Sequence, residues 1–432
     1  MPVFREVLAH AAAQPHRVAV RYGDTARTYA QLARDAERAR PDVKPGALVT
    51  LPDGDPVAQL TGILAADAAG AVPLTADPSW RPEHQRALLG PLPATVDDAV
   101  AHDLAWAGFT SGSTGRPRVV VRSRSSWTGS FEATGRLTGI TADDAVLVPG
   151  SLSWSLTAFA TAHALAAGAT VLLTGDWSVP GLRAALPAAD VAHLVPHRLA
   201  AVLDARPRRL RTAVVGGAAL GTALRDRAAN AGVGVVAYYG ATELSFVAVD
   251  PDGEGLRPFA GVEVSLRPAA AGPGEVWVRS PWLAHGYLGA GGGPLRRDAG
   301  GWATVGDLAE DIGPSGRLVL RGRADGAVLT GGATVVPADV EAVLAEVPGV
   351  DGVVVVGLPH AELGQVVAAV VQGAGVRRAV LERVVRERLA PAQRPRRWLA
   401  IDELPRTSTG KPARALVGAG VAAGDLPIRP LT

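Results

Sequence analysis

The sequence predicts an α/β fold in which a large N-terminal domain of layered α/β sheets precedes a small C-terminal domain. Short β-branched segments bounded by glycine or proline are typical of buried strands. Such segments are found at residues 119–121, 146–148, 169–173, 213–215 and 233–237. Alanine-rich stretches at 158–167 and 218–231 lie between them and have helical composition. This alternation of strands and helices predicts doubly wound layers.

The pattern changes in the last third of the chain. Residues 261–320 are rich in short strand-like segments and turns, which predicts a small β unit at the end of the large domain. The tail that follows carries apolar residues at helical spacing over 337–347 and 379–389. We therefore predict a large domain over residues 1–323 and a small α+β domain over residues 324–432.

The composition is that of a large enzyme rather than of a membrane or disulfide-rich protein. With 432 residues, 48% of them hydrophobic, the chain is able to bury a sizeable core. It contains no cysteine, which excludes disulfides and thiolate metal sites. No apolar run predicts a membrane span or a leader, so we expect a cytoplasmic protein. The formal net charge is only +2, and the arginine clusters are interrupted by proline, which argues against nucleic-acid binding.

The most informative segment is the loop between Phe109 and Arg118, which apolar segments flank on both sides. Its glycine and hydroxyl-bearing residues are Thr110, Ser111, Gly112, Ser113, Thr114 and Gly115. Glycines let backbone N–H groups turn towards an anion, and the hydroxyl groups add donors. A P-loop kinase or ATPase is disfavoured because Pro117 occupies the place where its helix would begin. We predict a strand-flanked, hairpin-like loop that holds nucleotide phosphates, with a flexible linker as the alternative.

This loop resembles the phosphate-binding loop of the AMP-forming adenylating enzymes, the superfamily of acyl-CoA synthetases, nonribosomal peptide adenylation domains and firefly luciferases. The resemblance continues in the family's order through residues 215–218, 238–243, 302–307, 321–325 and 405–411. Chance does not readily produce six such segments in one order. Because the loop begins earlier than is usual in the family, the resemblance also implies a shortened N-terminal region.

The resemblance implies three catalytic residues. Glu243 is the expected magnesium ligand, since a hard cation that bridges phosphate oxygens needs carboxylate oxygen. Thr242 beside it would bond the α-phosphate. Lys411 would contact the substrate carboxylate and the α-phosphate during adenylation.

Further positions are implied for the nucleotide and for a hinge. Small residues on the adenine side would let the backbone approach the base, a tyrosine would stack on it, and an aspartate would accept both ribose hydroxyls. The cofactor-binding residues are, in this order, Gly216, Gly217, Ala218, Tyr239, Gly240, Asp307 and Arg323. Asp325 occupies the hinge position between the two domains.

Lysine usage supports the role of Lys411. Lys44 and Lys411 are the only lysines of the chain, although arginine is abundant. An ammonium group is a compact point charge, whereas guanidinium is a planar fork that fits poorly onto a single reacting oxygen. Retention of lysine at position 411 therefore favours a chemical role, while Lys44 is predicted to lie on the surface.

The resemblance implies a two-step reaction that uses ATP and Mg2+. A small carboxylic acid attacks the α-phosphorus to give an acyl-adenylate and pyrophosphate, and a thiol, most simply that of CoA, then displaces AMP. The small C-terminal domain rotates between the steps. One alternative is a stand-alone adenylation enzyme that loads the phosphopantetheine of an acyl carrier protein. Another is a nucleotide-binding homologue without ligase activity, which Leu329 favours because many relatives carry a lysine there.

The substrate is only partly constrained. Amino-acid-activating relatives place an aspartate in the region that corresponds to residues 151–157, and that region has no carboxylate here. An acyl or aryl acid is therefore favoured, and Trp154, Phe159 and Phe246 are candidates for its pocket. The sequence leaves open which acid this is and the oligomeric state.

Overall fold

The computed structural model describes residues 1–52, 54–77, 80, 82–110, 118–175, 177–268, 273–289, 293–311, 316–323, 326, 328–330, 333–360, 363–407 and 410–432. The chain forms two compact units. Among the described residues, the first unit contains 1–110, 118–263 and 278–303, and the second contains 264–277 and 304–432. The boundary expected at residue 324 stays a prediction.

The secondary structure alternates as predicted. The helices of the described residues are α1 Phe4–Ala13, α2 Tyr29–Arg38, α3 Pro56–Ala68, α4 Pro82–Leu89, α5 Arg124–Thr128, α6 Phe131–Thr138, α7 Ser155–Ala166, α8 Val179–Ala185, α9 Pro196–Asp204, α10 Thr222–Asn230, α11 Pro337–Ala345, α12 Arg378–Arg388 and α13 Arg414–Ala423. The strands up to residue 258 are β1 Val18–Tyr22, β2 Thr25–Thr28, β3 Leu48–Leu51, β4 Val72–Thr75, β5 Leu104–Phe109, β6 Val119–Ser123, β7 Ala145–Val148, β8 Thr170–Leu173, β9 Val191–Leu194, β10 Thr212–Val215, β11 Gly234–Ala241, β12 Ser245–Asp250 and β13 Arg257–Pro258. The later strands are β14 Glu263–Arg267, β15 Gly274–Arg279, β16 Gly286–Leu288, β17 Arg296–Arg297, β18 Ala303–Thr304, β19 Asp307–Asp311, β20 Leu318–Arg323, β21 Val328–Thr330, β22 Ala333–Val335, β23 Gly352–His360, β24 Gly364–Gln372, β25 Arg397–Ile401 and β26 Arg429–Pro430.

The first unit contains a large sheet whose described strands run in the order β13-β12-β11-β10-β9-β7-β8-β1-β2. Its centre is parallel from β8 through β7, β9 and β10 to β11, whereas β12, β13 and β2 pair antiparallel at the two edges. Parallel neighbours need crossover helices, which α7 to α10 supply. Leu147, Leu199, Val215 and Ala228 from strands and helices share one buried cluster. The predicted doubly wound α/β layers are confirmed.

A second sheet of the first unit has the order β16-β6-β5-β4-β3. Strands β3, β4 and β5 are parallel, and β5 and β6 form an antiparallel hairpin in which Phe109 lies opposite Val119. All six residues of β5 are buried. This sheet therefore carries the ends of the predicted phosphate loop on a buried hairpin.

The second unit contains the predicted short strands and a compact C-terminal sheet. Strand β19 pairs antiparallel with β15 and with β20. The C-terminal sheet has the order β22-β21-β24-β25-β26, with β23 beside β24. Helices α11 and α12 pack on one face through Val340 and Leu381, and α13 packs on the other through Val417. Throughout the described ranges, each helix is too short or too polar to span a bilayer.

Candidate active site

The ends of the predicted phosphate loop are held by the β5–β6 hairpin. The backbone N–H of Thr110 donates to the carbonyl of Arg118 at 2.8 Å, which closes the hairpin beyond its last strand pair. The predicted hairpin-like flanks are therefore confirmed. The phosphate-binding positions between them, Ser111, Gly112, Ser113, Thr114 and Gly115, lie outside the described residues.

Residues 216–218, the segment expected beside adenine, follow β10 at the carboxyl end of the parallel strands of the large sheet. Ligands of such sheets bind at this end. A Cβ atom at Gly216 would lie 2.2 Å from Cζ of Tyr238, so only glycine allows that ring to pack against the chain. Gly217 has a φ of +86°, which also favours glycine. Ala218 is exposed, and Tyr239 on the neighbouring strand β11 is buried.

Thr242 and Glu243 lie in the turn that joins β11 to β12. The pairing of these two strands shifts register between Tyr239 and Gly240, so a bulge precedes the turn. A Cβ atom at Gly240 would lie 2.2 Å from the carbonyl oxygen of Ser245, and Ser245 itself has a φ of +64°. The bulge before the turn and the left-handed backbone of Ser245 after it therefore shape the turn that carries Glu243.

Glu243 is fixed at both its side chain and its main chain. The residue is 6% exposed, and its Oε1 accepts a 2.8 Å hydrogen bond from the hydroxyl of Tyr287. The backbone N–H of Ala284 donates to the main-chain carbonyl of Glu243 at 2.8 Å. The N–H of Leu295 donates to the Tyr287 oxygen at 3.2 Å. The predicted magnesium ligand is thus a buried carboxylate whose orientation is set by its neighbours.

A buried arginine supports the same turn. Arg122 donates to the carbonyl of Thr242 at 3.1 Å, to that of Ser126 at 2.8 Å and to that of Trp282. Burial lowers the pKa of Arg122 to about 10, and the nearby negative charge of Glu243 opposes that shift. The guanidinium group therefore stays charged at neutral pH and ties the turn to two other segments of the first unit.

Sequence reasoning missed Arg122 and Tyr287. A signal for the arginine existed, because a charged residue that continues the buried run 119–121 needs internal partners. Tyr287 gave no comparable signal, since its partner Glu243 lies 44 residues away in the sequence.

The residues expected near the acid substrate lie partly in the core. Ser155, the first residue of α7, shares a 2.9 Å hydrogen bond with the hydroxyl of Thr242. Trp154 is half-buried, and its Nε1 donates to Oδ2 of Asp77 at 3.2 Å. The rings of Phe159 and Phe246 lie 5.0 Å apart and are both buried, within a larger aromatic cluster. Ser155 therefore contacts the catalytic turn directly, whereas Phe159 and Phe246 are core residues.

Asp307, expected to accept the ribose hydroxyls, and Arg323, expected to help hold the nucleotide, lie in the second unit. Asp307 begins β19 directly after Gly306, whose φ is +83°, and it pairs in register with Arg323 on β20. Asp307 is half-buried. The side chain of Arg323 and the hinge residue Asp325 lie outside the described residues.

Lys411 lies on a small turn of the second unit. The N–H of Thr407 donates to the carbonyl of Lys411 at 2.7 Å, and the N–H of Lys411 donates to Oγ1 of Thr407 at 3.2 Å. Arg406 and Pro412 form an isolated antiparallel bridge next to these bonds. The backbone at Lys411 is therefore defined by local contacts, and the residue is partly buried.

A single carboxylate is the candidate metal ligand. Within the described ranges, no group of three histidine, aspartate or glutamate side chains is arranged to hold a metal ion. Mg2+ is commonly bound by one or two carboxylates together with substrate phosphates, so it does not require a protein cage. Glu243, with its Oε1 anchored by Tyr287, fits this mode of binding.

Comparisons with known proteins decide the family. The family model described as AMP-binding enzyme matches residues 90–288, and that of the AMP-binding enzyme C-terminal domain matches residues 339–411. A probable 2-succinylbenzoate–CoA ligase of Mycobacterium tuberculosis (strain CDC 1551 / Oshkosh) is 32% identical over 367 residues, which cover 77% of this chain and 88% of that protein. The chain belongs to the AMP-binding enzymes. The uncharacterized acyl–CoA ligase YhfT of Bacillus subtilis (strain 168) is 32% identical over 332 residues, covering 72% of this chain and 67% of the relative.

Solved structures agree with this AMP-binding enzyme assignment. A variant of E. coli MenE with bound OSB-AMS superposes with a TM-score of 0.83 at 25% identity, covering 97% of this chain and 98% of that chain. ATP-bound MatB from Rhodopseudomonas palustris shares the fold, with a TM-score of 0.84 at 21% identity and coverage of 98% and 99%. The predicted family and fold are confirmed, as is the predicted enzyme class, an AMP-forming ligase that joins an acid to a thiol.

Proposed function

We propose that this AMP-binding enzyme uses ATP to convert an acyl or aryl carboxylic acid to its acyl-adenylate and then transfers the acyl group to CoA. The observation that carries the proposal is the turn of Thr242 and Glu243, a hydroxyl and a buried carboxylate held side by side at the edge of the large sheet. The names of the relatives, which are CoA ligases, support CoA as the acceptor.

In this proposal Glu243 binds Mg2+, which neutralises charge on the ATP phosphates when it is bound. Thr242 donates its hydroxyl to the α-phosphate, and Ser155 holds that hydroxyl in place. The loop residues 110–115 bind the outer phosphates. The protein catalyses this step mainly by positioning the reactants and neutralising the charge of the phosphates, since it forms no covalent bond to the transferred group.

We assign the nucleoside half of ATP to residues 216–218 with Tyr239, and to residues of the second unit. Gly216, Gly217 and Ala218 accommodate adenine, with Tyr239 stacked on it. Asp307 accepts the ribose hydroxyls, because a carboxylate offers two acceptor oxygens to a vicinal diol. We assign Gly240 and Arg323 to the same nucleotide.

Lys411 supplies the positive charge at the reacting oxygens during adenylation. We propose that it does so from a C-terminal domain of residues 324–432, which rotates about Asp325 before the thiol step. This boundary lies between the two regions matched by the family models, 90–288 and 339–411. A lysine on a turn closed by local hydrogen bonds is able to move with its domain as a unit.

The chemistry around Ser155 favours an acid without an α-ammonium group. Residues 151–157 are all uncharged, and Ser155 is engaged with a hydroxyl rather than with a cation. An ammonium group placed there would find no counter-charge within this segment, and the neighbouring carboxylate of Asp77 already accepts a hydrogen bond from Trp154. We also place the enzyme in the cytoplasm, a proposal that rests on its use of ATP and CoA.

The proposal is tested by a pyrophosphate-release screen with ATP and Mg2+ against fatty, aryl and amino acids. Each acid is assayed without acceptor, with CoA and with a holo carrier protein. We expect release and AMP formation that depend on a fatty or aryl acid and that CoA sustains. Turnover with the carrier protein alone would instead identify a carrier-loading enzyme. Silence across the panel, with ATP still bound, would identify a homologue without ligase activity.

A further inference from the structure

One hydrogen bond in the first unit joins its two sheets at the catalytic carboxylate. Tyr287 lies on β16, the edge strand of the smaller sheet, where it pairs with Val120 of β6. Its hydroxyl donates to Oε1 of Glu243, in the β11–β12 turn of the larger sheet, at 2.8 Å. The contact therefore fixes the side chain expected to bind magnesium from a separate structural element.

Tyr287 is itself held in place. The N–H of Leu295 donates to its hydroxyl oxygen at 3.2 Å, which leaves the hydroxyl proton for Glu243. A Cβ atom at Gly293 would lie 2.1 Å from Cζ of Tyr287, so the chain passes directly against the end of the ring.

The backbone on which Glu243 stands is fixed as well. Ala284 donates its N–H to the Glu243 carbonyl, and Arg122 bonds the carbonyls of Thr242 and Trp282. Because these bonds hold the main chain of the turn, Glu243 changes conformation mainly through its side-chain torsion angles. The Tyr287 hydroxyl restricts this freedom, and partners that orient a metal ligand in advance typically contribute about 10- to 100-fold to metal affinity.

We propose that Tyr287 is a positioning residue that orients the Glu243 carboxylate to receive Mg2+ bound to ATP. The inference rests on the proposed function, because it takes Glu243 as the magnesium ligand. It adds a residue outside the motif segments 238–243 and 302–307, and this residue acts through Glu243 rather than through contact with the substrate.

The variant Tyr287→Phe removes the hydroxyl and keeps the ring. Calorimetric titration with α,β-methylene-ATP, which cannot form an adenylate, measures binding with and without MgCl2. We expect the dissociation constant with Mg2+ to rise about 10-fold and the constant without Mg2+ to change less than twofold. The Mg2+ concentration that gives half-maximal pyrophosphate release should rise in parallel.

Two further variants separate positioning from general stability. Tyr29→Phe removes the hydroxyl of a fully buried tyrosine, which donates to the carbonyls of Leu165 and Ala169 at 3.2 and 2.8 Å and not to Glu243. It should lower the melting temperature without changing the Mg2+ dependence. Gly293→Ala should displace the Tyr287 ring and reproduce the Mg2+ effect while both hydrogen-bonding groups are retained.

The outcomes distinguish the inference from the function on which it rests. If wild-type protein shows Mg2+-dependent nucleotide binding and acid-dependent pyrophosphate release, but Tyr287→Phe has an unchanged Mg2+ requirement, positioning by Tyr287 is wrong and the proposed function stands. An equal loss of binding with and without Mg2+ would also overturn the inference, since it indicates a structural defect. Wild-type protein without Mg2+-dependent binding would overturn the role of Glu243 itself.

Discussion

Glu243 and Lys411, the two residues expected to stabilise charge during adenylation, are supported in different ways. Glu243 is 6% exposed and is held by Tyr287, while Ala284 and Arg122 fix its turn through contacts distant in sequence. Lys411 is partly buried, and its backbone is bonded to Thr407, four residues away. The carboxylate belongs to a cooperative network, whereas the lysine belongs to a turn that folds locally.

Mutations around Glu243 and at Lys411 should therefore differ in their effects on stability and on the reaction. A change in the network around Glu243 should affect both the free energy of unfolding and the reaction, because buried donors and acceptors lose their partners. A change at Lys411 should affect the reaction and leave stability nearly unaltered.

Replacement of Lys411 by Ala should lower the rate of adenylate formation by at least about 10²-fold, since it removes a charge aimed at the reacting oxygens. Its melting temperature should stay within about 2 °C of wild type, as for other partly exposed positions. Lys44→Ala, at the exposed second lysine of the chain, is the matched control and should retain full activity. Normal adenylation by the Lys411 variant would remove that residue from the mechanism.

Replacement of Arg122 by Leu should lower the free energy of unfolding by about 3 kcal/mol, because the buried carbonyls of Thr242, Ser126 and Trp282 lose their donor. Urea denaturation measures this change, and adenylation should fall with it. The control Arg136→Leu removes an exposed arginine paired with Glu132 and should cost less than about 0.5 kcal/mol. Equal stability of the two variants would contradict the network.

Acid should weaken the first unit before the second. Burial lowers the pKa of His163 to about 4 and that of His193 to about 3, from an ordinary value of 6.5. Below about pH 6.5 these two histidines are therefore protonated in the unfolded chain and still neutral in the folded chain. The contribution of these neutral histidines is complete above that pH and is lost towards pH 4, at up to about 1.4 kcal/mol per pH unit for each.

Hydrogen exchange at pH 7.5 and pH 5 measures this effect segment by segment. Residues 304–432 contain a single histidine, the exposed His360. Protection should therefore fall more around α7 and β9, which carry His163 and His193, than in β23 and β24 of the second unit. A uniform loss across both units would show that the two histidines do not govern the acid response.

Replacement of Ser155 by Ala should reduce kcat/KM by about fivefold, which corresponds to one neutral hydrogen bond of about 1 kcal/mol. The bond to the Thr242 hydroxyl is lost, while the backbone of the turn keeps its other contacts. Ser178→Ala, which removes the cap of α8, should lower stability by a similar amount without changing kcat/KM. A larger effect on stability than on kcat/KM for Ser155 would assign it to the core.

Local patterns predicted the framework of the fold. The run 119–121 predicted a buried strand beside the phosphate loop because β-branched residues between polar loops carry that signal locally. The Thr242–Glu243 pair was proposed because the family segments lie in order along the chain, and its catalytic role stays a prediction. Arg122 and Tyr287 were missed since their contacts with Thr242 and Glu243 span 120 and 44 residues. The hinge at Asp325 stays a prediction.

Exchange of labelled pyrophosphate into ATP tests the role of Glu243 in adenylation, because this exchange reports reversible adenylation and needs no thiol acceptor. We expect exchange that requires both Mg2+ and a fatty or aryl acid, and that is lost in Glu243→Gln although this variant keeps an acceptor for the Tyr287 hydroxyl. Exchange that persists at the wild-type rate in Glu243→Gln, or that proceeds without any acid, would contradict it.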